Sequence, residues 1–151
     1  MNKHQRLWGL YAITDPTLTP PDLLAEKTEA ALAGGARIIQ YRDKSTDSER
    51  RYREASELKS LCLQYNATLI INDDVALTAR VQADGVHLGL TDTGIHEARQ
   101  QLGPEFIIGA TCHGEITNAH RAQQDGADYV AFGRFFPSRT KPDAPLARLD
   151  D

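Results

Sequence analysis

Six short runs of aliphatic and β-branched residues lie along the chain, and each of the first five is followed by a stretch with helical apolar spacing. No other pattern restricts the fold as much. A strand, a covering helix and a second strand running the same way build a parallel sheet. Residues 68–92 show the unit most plainly. Thr68 to Ile71 is apolar and stops at Asn72-Asp73-Asp74, and Val75 to Val81 has helical character. Asp84-Gly85 then turns the chain into Val86-His87-Leu88, which runs out through Gly89 to Asp92. Further strands are read at Leu10 to Thr14, Arg37 to Arg42, Phe106 to Cys112 and Tyr129 to Gly133. The helices between them include one with Leu23, Leu24, Ala31 and Leu32 on its apolar face, closed by Gly34-Gly35. A second has Tyr52, Ala55, Leu58, Leu61 and Cys62 on its inner face, and others cover Gly94 to Leu102 and Ile116 to Asp125.

With 151 residues, 40% hydrophobic and 25% charged, the chain has the composition of one globular domain. Residues 1–151 are therefore read as a single domain. A net charge of -4 argues against a general nucleic-acid binder. No long apolar segment follows Met1, so neither a signal peptide nor a membrane span is expected. Cys62 and Cys112 have no metal-binding spacing, so reduced thiols and a cytoplasmic setting are expected. Glu49, Arg50, Arg51, Arg53, Glu54, Glu57 and Lys59 of the second helix read as a solvated face.

Two architectures accommodate repeated βα units. One is a doubly wound open sheet. The other is a (β/α)₈ barrel, which needs eight units and usually about 200 residues or more. The count of units favours the open sheet. Neither GxGxxG after the first strand nor GxxxxGK[ST] is present.

In parallel α/β sheets the chemistry sits beyond the carboxyl ends of the strands. Asp73 and Asp92 fall there, two hard oxygen donors of the kind Mg²⁺ takes alongside water and phosphate oxygens. Asp73 and Asp74 read equally as caps of the following helix. The second strand ends Gln40-Tyr41-Arg42-Asp43-Lys44, and alternation puts Gln40, Arg42 and Lys44 on one side with Tyr41 on the other. A planar guanidinium and an ammonium suit phosphate oxygens, the plain alternative being a charged strand end in solvent. Thr111 offers one hydroxyl. Cys112 and His113 are neighbours facing opposite ways, so a buried thiol and a loop histidine are expected rather than a reactive pair. His87 reads as a structural histidine of the interior. After the sixth strand, Ser138, Arg139, Thr140 and Lys141 form either an anion clamp or a turn-rich surface loop. Together these groups share one rim and point to a phosphorylated or diphosphorylated substrate held with Mg²⁺.

The segments Leu10-Tyr11-Ala12-Ile13-Thr14-Asp15, Gln40-Tyr41-Arg42-Asp43-Lys44, Leu69-Ile70-Ile71-Asn72-Asp73, Ala83-Asp84-Gly85-Val86-His87-Leu88-Gly89, Gly126-Ala127-Asp128-Tyr129-Val130 and Thr140-Lys141-Pro142 resemble the thiamine-phosphate synthase family, in its order and at nearly its spacing. The resemblance implies an α/β fold of TIM-barrel-type parallel (β/α) units with six of the eight present, against the count of units. It implies a transferase that joins hydroxymethylpyrimidine diphosphate to thiazole phosphate, giving thiamine phosphate and diphosphate. The implied route is dissociative: diphosphate leaves first, and the thiazole nitrogen captures the pyrimidine cation. Such a route assigns no catalytic acid or base. The resemblance implies that Gln40, Arg42 and Lys44, in a segment with Tyr41 and Asp43, meet the diphosphate and pyrimidine. It also implies Asn72 as a pyrimidine contact and Asp73 and Asp92 as Mg²⁺ ligands. Thr111 stands where serine is frequent. Ser138 and Thr140, flanking Arg139, match the hydroxyl loop that meets the thiazole phosphate, and Lys141 matches the lysine reaching the diphosphate.

Departures are Asp43 for glutamate, and Leu90-Thr91 for Gln-Glu before Asp92. Family members continue for two more units, so a domain incomplete at its carboxyl end, with open edges at strands one and six, is expected. The alternatives are a thiazole tautomerase-like isomerase on the same fold and a non-catalytic fragment. Arg42, Lys44, Asp73, Asp92 and Lys141 favour the synthase, because an isomerase has no diphosphate to hold. The expected partners are these small molecules, with no nucleic acid and no membrane; assembly as a monomer or a homo-oligomer is open.

Overall fold

The computed structural model describes residues 1–89 and 94–150. Leu10–Ile13 (β1), Ala36–Tyr41 (β2), Thr68–Asn72 (β3), Gly85–Leu88 (β4), Ile107–His113 (β5) and Tyr129–Phe132 (β6) form one sheet. Its strand order is the chain order, and every neighbouring pair is parallel. Leu24–Ala33 (α1), Ser48–Gln64 (α2), Val75–Val81 (α3), Ile95–Leu102 (α4) and Ile116–Gln124 (α5) alternate with the strands. None of the described helices is long and apolar enough to cross a membrane.

Alternate strand residues serve two different layers. Ile39, Tyr41, Leu69 and Ile71 pack against Leu24 and Leu32 of α1 and Ala55, Leu58 and Cys62 of α2. Val86, Leu88 and Ile108 meet Val75 and Ala98, and Ala110 and Cys112 meet Ala122. The intervening Ile38, Ile70 and Ile107 turn the other way and pack with Leu7, Tyr11 and Tyr129. Strands buried on both faces need continuous apolar runs, which is why β3 is buried along its whole length.

The hydroxyls of Tyr11 and Tyr129 lie 2.7 Å apart, although β1 and β6 are the two edges of the sheet order. Edge strands meet face to face only if the sheet curls. Together with sequential order and helices on the convex face, this makes six units of a TIM-barrel-type wall and not the doubly wound sheet favoured by counting. Among the described residues β1 and β6 pair on one side only, as the resemblance implied.

Residues 2–7, to which the sequence analysis gives no role, close the amino-terminal end of this wall. Leu7 packs on Ile38, Ile70 and Ile107. Arg6 pairs with Asp84, and its carbonyl accepts from Thr68 Oγ1 at 2.9 Å. Lys3 Nζ lies 2.8 Å from Asp128 Oδ1 and donates to the Pro104 carbonyl at 2.7 Å. The two aspartates repeat one device. Each precedes a strand and accepts a backbone N–H from the strand before: Leu69 to Asp84 at 2.7 Å, Ile108 to Asp128 at 2.9 Å. Each also takes a helix cation, Lys59 at 3.2 Å and Arg99 at 2.7 Å.

The charged face of α2 is not simply solvated. Arg50 reaches Asp43 at 2.8 Å and Glu54 at 3.3 Å, Arg51 reaches Asp74 at 3.0 Å, and Glu54 is buried. The helix lies against the loops that leave β2 and β3, and those loops carry acids.

Candidate active site

The concave face opens at the carboxyl ends of the strands into a cavity of about 610 Å³. Its wall is set by register. Asn72, His87, Gly109 and Tyr129 are successive partners across β3 to β6 and so form one row. Gly109 leaves the space that the Tyr129 ring occupies, since a Cβ there would overlap the ring. Across this gap Tyr129 Oη reaches His87 Nδ1 at 2.9 Å. The contacts continue on both sides: Gln40 Nε2 donates to Tyr11 Oη at 2.8 Å, Tyr11 and Tyr129 hydroxyls meet at 2.7 Å, and His87 Nε2 lies 2.8 Å from Thr111 Oγ1. Five strands thus share one polar chain.

Burial fixes the charge of these groups. The Tyr11 and Tyr129 hydroxyls are pushed up by desolvation and stay protonated. Burial, helped by the Lys141 ammonium and opposed by Asp73, lowers His87 to about 4, so the imidazole is neutral at ordinary pH. His87 is the interior histidine that the sequence indicated.

Of the sequence-derived candidates, Gln40, Arg42, Asn72, Thr111, Ser138, Thr140 and Lys141 come together on the cavity. Arg42 is tethered by its backbone N–H to Thr14 Oγ1 at 3.0 Å and has Asp15 Oδ2 3.9 Å from Nη1. Its buried Nε has no hydrogen-bond partner among the described residues. Ser138 and Thr140 hydroxyls are 3.1 Å apart, and Ser138 Oγ accepts from the Lys141 backbone N–H at 3.1 Å.

Lys44 and Asp73 line a neighbouring groove of about 510 Å³ that meets the cavity at Asn72. Lys44 Nζ sits 2.8 Å from Asp73 Oδ2. The two readings of Asp73-Asp74 separate here. Asp74 is the cap of α3, accepting from Leu77 N–H at 2.8 Å. Asp73 takes a left-handed backbone, φ 67°, and its N–H bonds to the His87 carbonyl at 2.9 Å. Asp92 lies outside the described residues. Among the described residues no group of three or more His, Cys, Asp or Glu side chains gathers to hold a metal.

Three candidates stand apart from the cavity. Tyr41 faces the helices, as alternation required, and is in the core cluster with α1 and α2 residues. Burial would raise the Asp43 carboxyl, yet the Ser45 N–H and Arg50 hold it below the usual range and occupy it. Arg139 is exposed and does not line the cavity. Cys112 is buried, which pushes its thiol up, whereas His113 has φ 51° and lines the cavity; the two form no reactive pair.

Two features escaped the sequence reading. Tyr11 and Tyr129 occupy inward positions of the edge strands, and the pairing of Tyr129 with Gly109 is the one signal that marks them. Arg134 organises the hydroxyl loop. It donates to the carbonyls of Ala144 at 2.6 Å, Pro142 at 2.9 Å and Phe136 at 3.4 Å. A loop with three prolines has fewer N–H groups than carbonyls, and that surplus of acceptors is the signal for such an arginine.

The model of the family described as thiamine monophosphate synthase matches residues 10–151. A thiamine-phosphate synthase of Alcanivorax borkumensis is 58% identical over 95% of the chain, and one of Marinobacter nauticus 54% identical over 94%. The chain spans 66% and 64% of the lengths of these relatives. A solved structure of thiamine phosphate pyrophosphorylase from Pyrococcus furiosus superposes with a TM-score of 0.84 at 36% identity, covering 96% of this chain and 67% of that one. Matched along nearly its whole length by family, sequence relatives and structure alike, the chain belongs to the thiamine monophosphate synthase family.

Proposed function

We propose that the chain contributes the active-site wall of a thiamine-phosphate synthase, which condenses hydroxymethylpyrimidine diphosphate with thiazole phosphate and releases diphosphate. The observation that carries this reading is Arg42. A buried guanidinium nitrogen with no partner among the described residues, beside a lysine and a hydroxyl loop, is a site for anionic oxygens. Relatives named as synthases at 54–58% identity support the same reaction. Two buried, unpaired cysteines fit a cytoplasmic setting.

The reacting groups need charge neutralisation and alignment more than proton transfer. The wall is built accordingly. His87 and the tyrosine hydroxyls are held neutral, so they orient a ligand without exchanging protons with it. Gln40 and Asn72 offer amides of the kind that orient a heteroaromatic ring. Arg42 and Lys141 face the place where negative charge accumulates as the leaving group departs. Ser138 and Thr140 supply hydroxyl donors to a second phosphate.

Mg²⁺ is the cation this donor set fits, and Asp73, with Asp92, would hold it. One or two carboxylates with phosphate oxygens is its usual company, and Asp73 already faces a cationic Lys44 ammonium. When bound, the ion supplies further charge neutralisation on the leaving diphosphate. An isomerase has no use for the Lys44–Asp73 groove. The test is diphosphate release from the two substrates, with calorimetry of the pyrimidine diphosphate in Mg²⁺. Asp73→Ala is expected to abolish metal-dependent binding; unchanged affinity removes Asp73 from this role, and absence of product removes the reaction.

A further inference from the structure

We infer that Tyr129 is a positioning residue: its hydroxyl holds His87 as the tautomer protonated on Nε2, which leaves the Thr111 proton free to donate into the cavity. The point beside Thr111 then favours an acceptor oxygen.

The direction follows from one end of the polar chain. Gln40 Nε2 lies 2.8 Å from the Tyr11 oxygen, and an amide nitrogen donates but does not accept. Tyr11 therefore directs its own proton to Tyr129 at 2.7 Å. Tyr129, having accepted, donates to His87 Nδ1 at 2.9 Å. A ring nitrogen that accepts carries no proton, so the neutral imidazole carries it on Nε2. That N–H donates to Thr111 Oγ1 at 2.8 Å. Thr111 lines the cavity, and its proton is left to point there. Reversal of the chain would make the Tyr11 oxygen accept from both Gln40 and Tyr129 and leave its own buried proton without an acceptor among the described residues.

Two observations support the assignment. Gly109 stands between His87 and Tyr129 in the row, and its missing side chain is what lets the phenol cross. The contact itself also excludes the imidazolium form, which would donate from both nitrogens and leave the Tyr129 proton without its acceptor. Tyr129 lines the cavity, but its hydroxyl is engaged by Tyr11 and His87, so it acts through His87 and Thr111.

The identity of the acceptor, a phosphate or diphosphate oxygen, rests on the proposed function; the tautomer does not. Nitrogen NMR of protein labelled with ¹⁵N-histidine, at neutral pH, reads the tautomer directly, with the His87 signals identified by their loss in His87→Gln. Expected is Nε2 in the protonated range and Nδ1 in the unprotonated range. In Tyr129→Phe this single state gives way to a mixture, and inorganic diphosphate with Mg²⁺ binds about tenfold more weakly by calorimetry, the size of one hydrogen bond to a charged group. Thr111→Val weakens binding similarly and leaves the tautomer unchanged. A wild-type His87 protonated on Nδ1 overturns the inference whatever the ligand does, and needs no variant to fold. Tyr129→Phe with a pure Nε2–H state and wild-type diphosphate affinity overturns it as well. Wild-type protein with the expected tautomer but no diphosphate binding sinks the functional reading and upholds the tautomer assignment.

Discussion

At the amino-terminal rim, Asp84 and Asp128 each take one backbone N–H and two cations, so that carboxylates, strands, helices and the residues 2–7 are tied to one another. At the carboxyl-terminal rim the same kinds of side chain are handled in the opposite way. Arg42 keeps a buried Nε unpartnered among the described residues, His113 and Asp73 hold left-handed backbone, and Thr140 is exposed beside a half-buried Ser138. A rim whose polar groups are saturated internally has nothing left to offer a ligand and stabilises the fold. A rim with unsaturated groups and strained backbone gives up some stability for recognition. The division assigns stability to one end of the wall and chemistry to the other, as parallel barrels do.

Three measurements test that division, the largest expected effect first. Asp128→Ala removes a carboxylate that meets Lys3, Arg99 and the Ile108 N–H, and leaves the partly buried Arg99 with backbone carbonyls but no counter-ion. A loss of about 3 kcal/mol in urea unfolding is expected. A loss under about 1 kcal/mol would mean that the saturated rim does not carry stability. The second concerns acid. His87 ionises near its ordinary 6.5 when unfolded and at about 4 when folded. Between these values the unfolded chain binds a proton that the folded chain refuses, so stability falls as pH falls through this window, by about 3 kcal/mol in full. Glu54, raised by burial, opposes this, because its folded form loses stability as pH rises through its shifted value. Asp128 is depressed, and its contribution is present above 3.8 and lost as pH falls further. His87→Gln should flatten the limb between pH 6.5 and 4; an unchanged slope would assign the limb to other groups. Smallest is Lys44→Ala. Its side chain is 60% exposed, so stability should change by less than about 1 kcal/mol despite the 2.8 Å contact with Asp73. A larger loss would place the outer groove with the structural rim.

Most of the wall was legible because its cause is local. Runs such as Thr68–Asn72 are apolar on both faces and end at turn residues, so the strands follow from the chain itself. Alternation also separated Gln40 and Arg42 from Tyr41 correctly, since a pleat is a local property. What failed depended on distant partners. The periodicity of α2 identifies a charged face but not that Asp43 and Asp74 lie against it. Lys3 and Arg6 carry no local signal of their partners, since Asp128 and Asp84 lie far along the chain. Barrel against doubly wound sheet was likewise invisible to counting. The curl is written in a meeting of Tyr11 with Tyr129, and no local window contains both.

The plug at the amino-terminal rim also sets an order of assembly. Lys3 finds the Pro104 carbonyl across 101 residues, whereas Leu7 and Arg6 meet Ile38, Thr68 and Asp84 of earlier units, so residues 2–7 are secured in stages and Lys3 last. Its last contacts await the fifth and sixth strands. The widest spans, Lys3 to Asp128 and Tyr11 to Tyr129, carry the largest loop-closure cost and are the slowest to form.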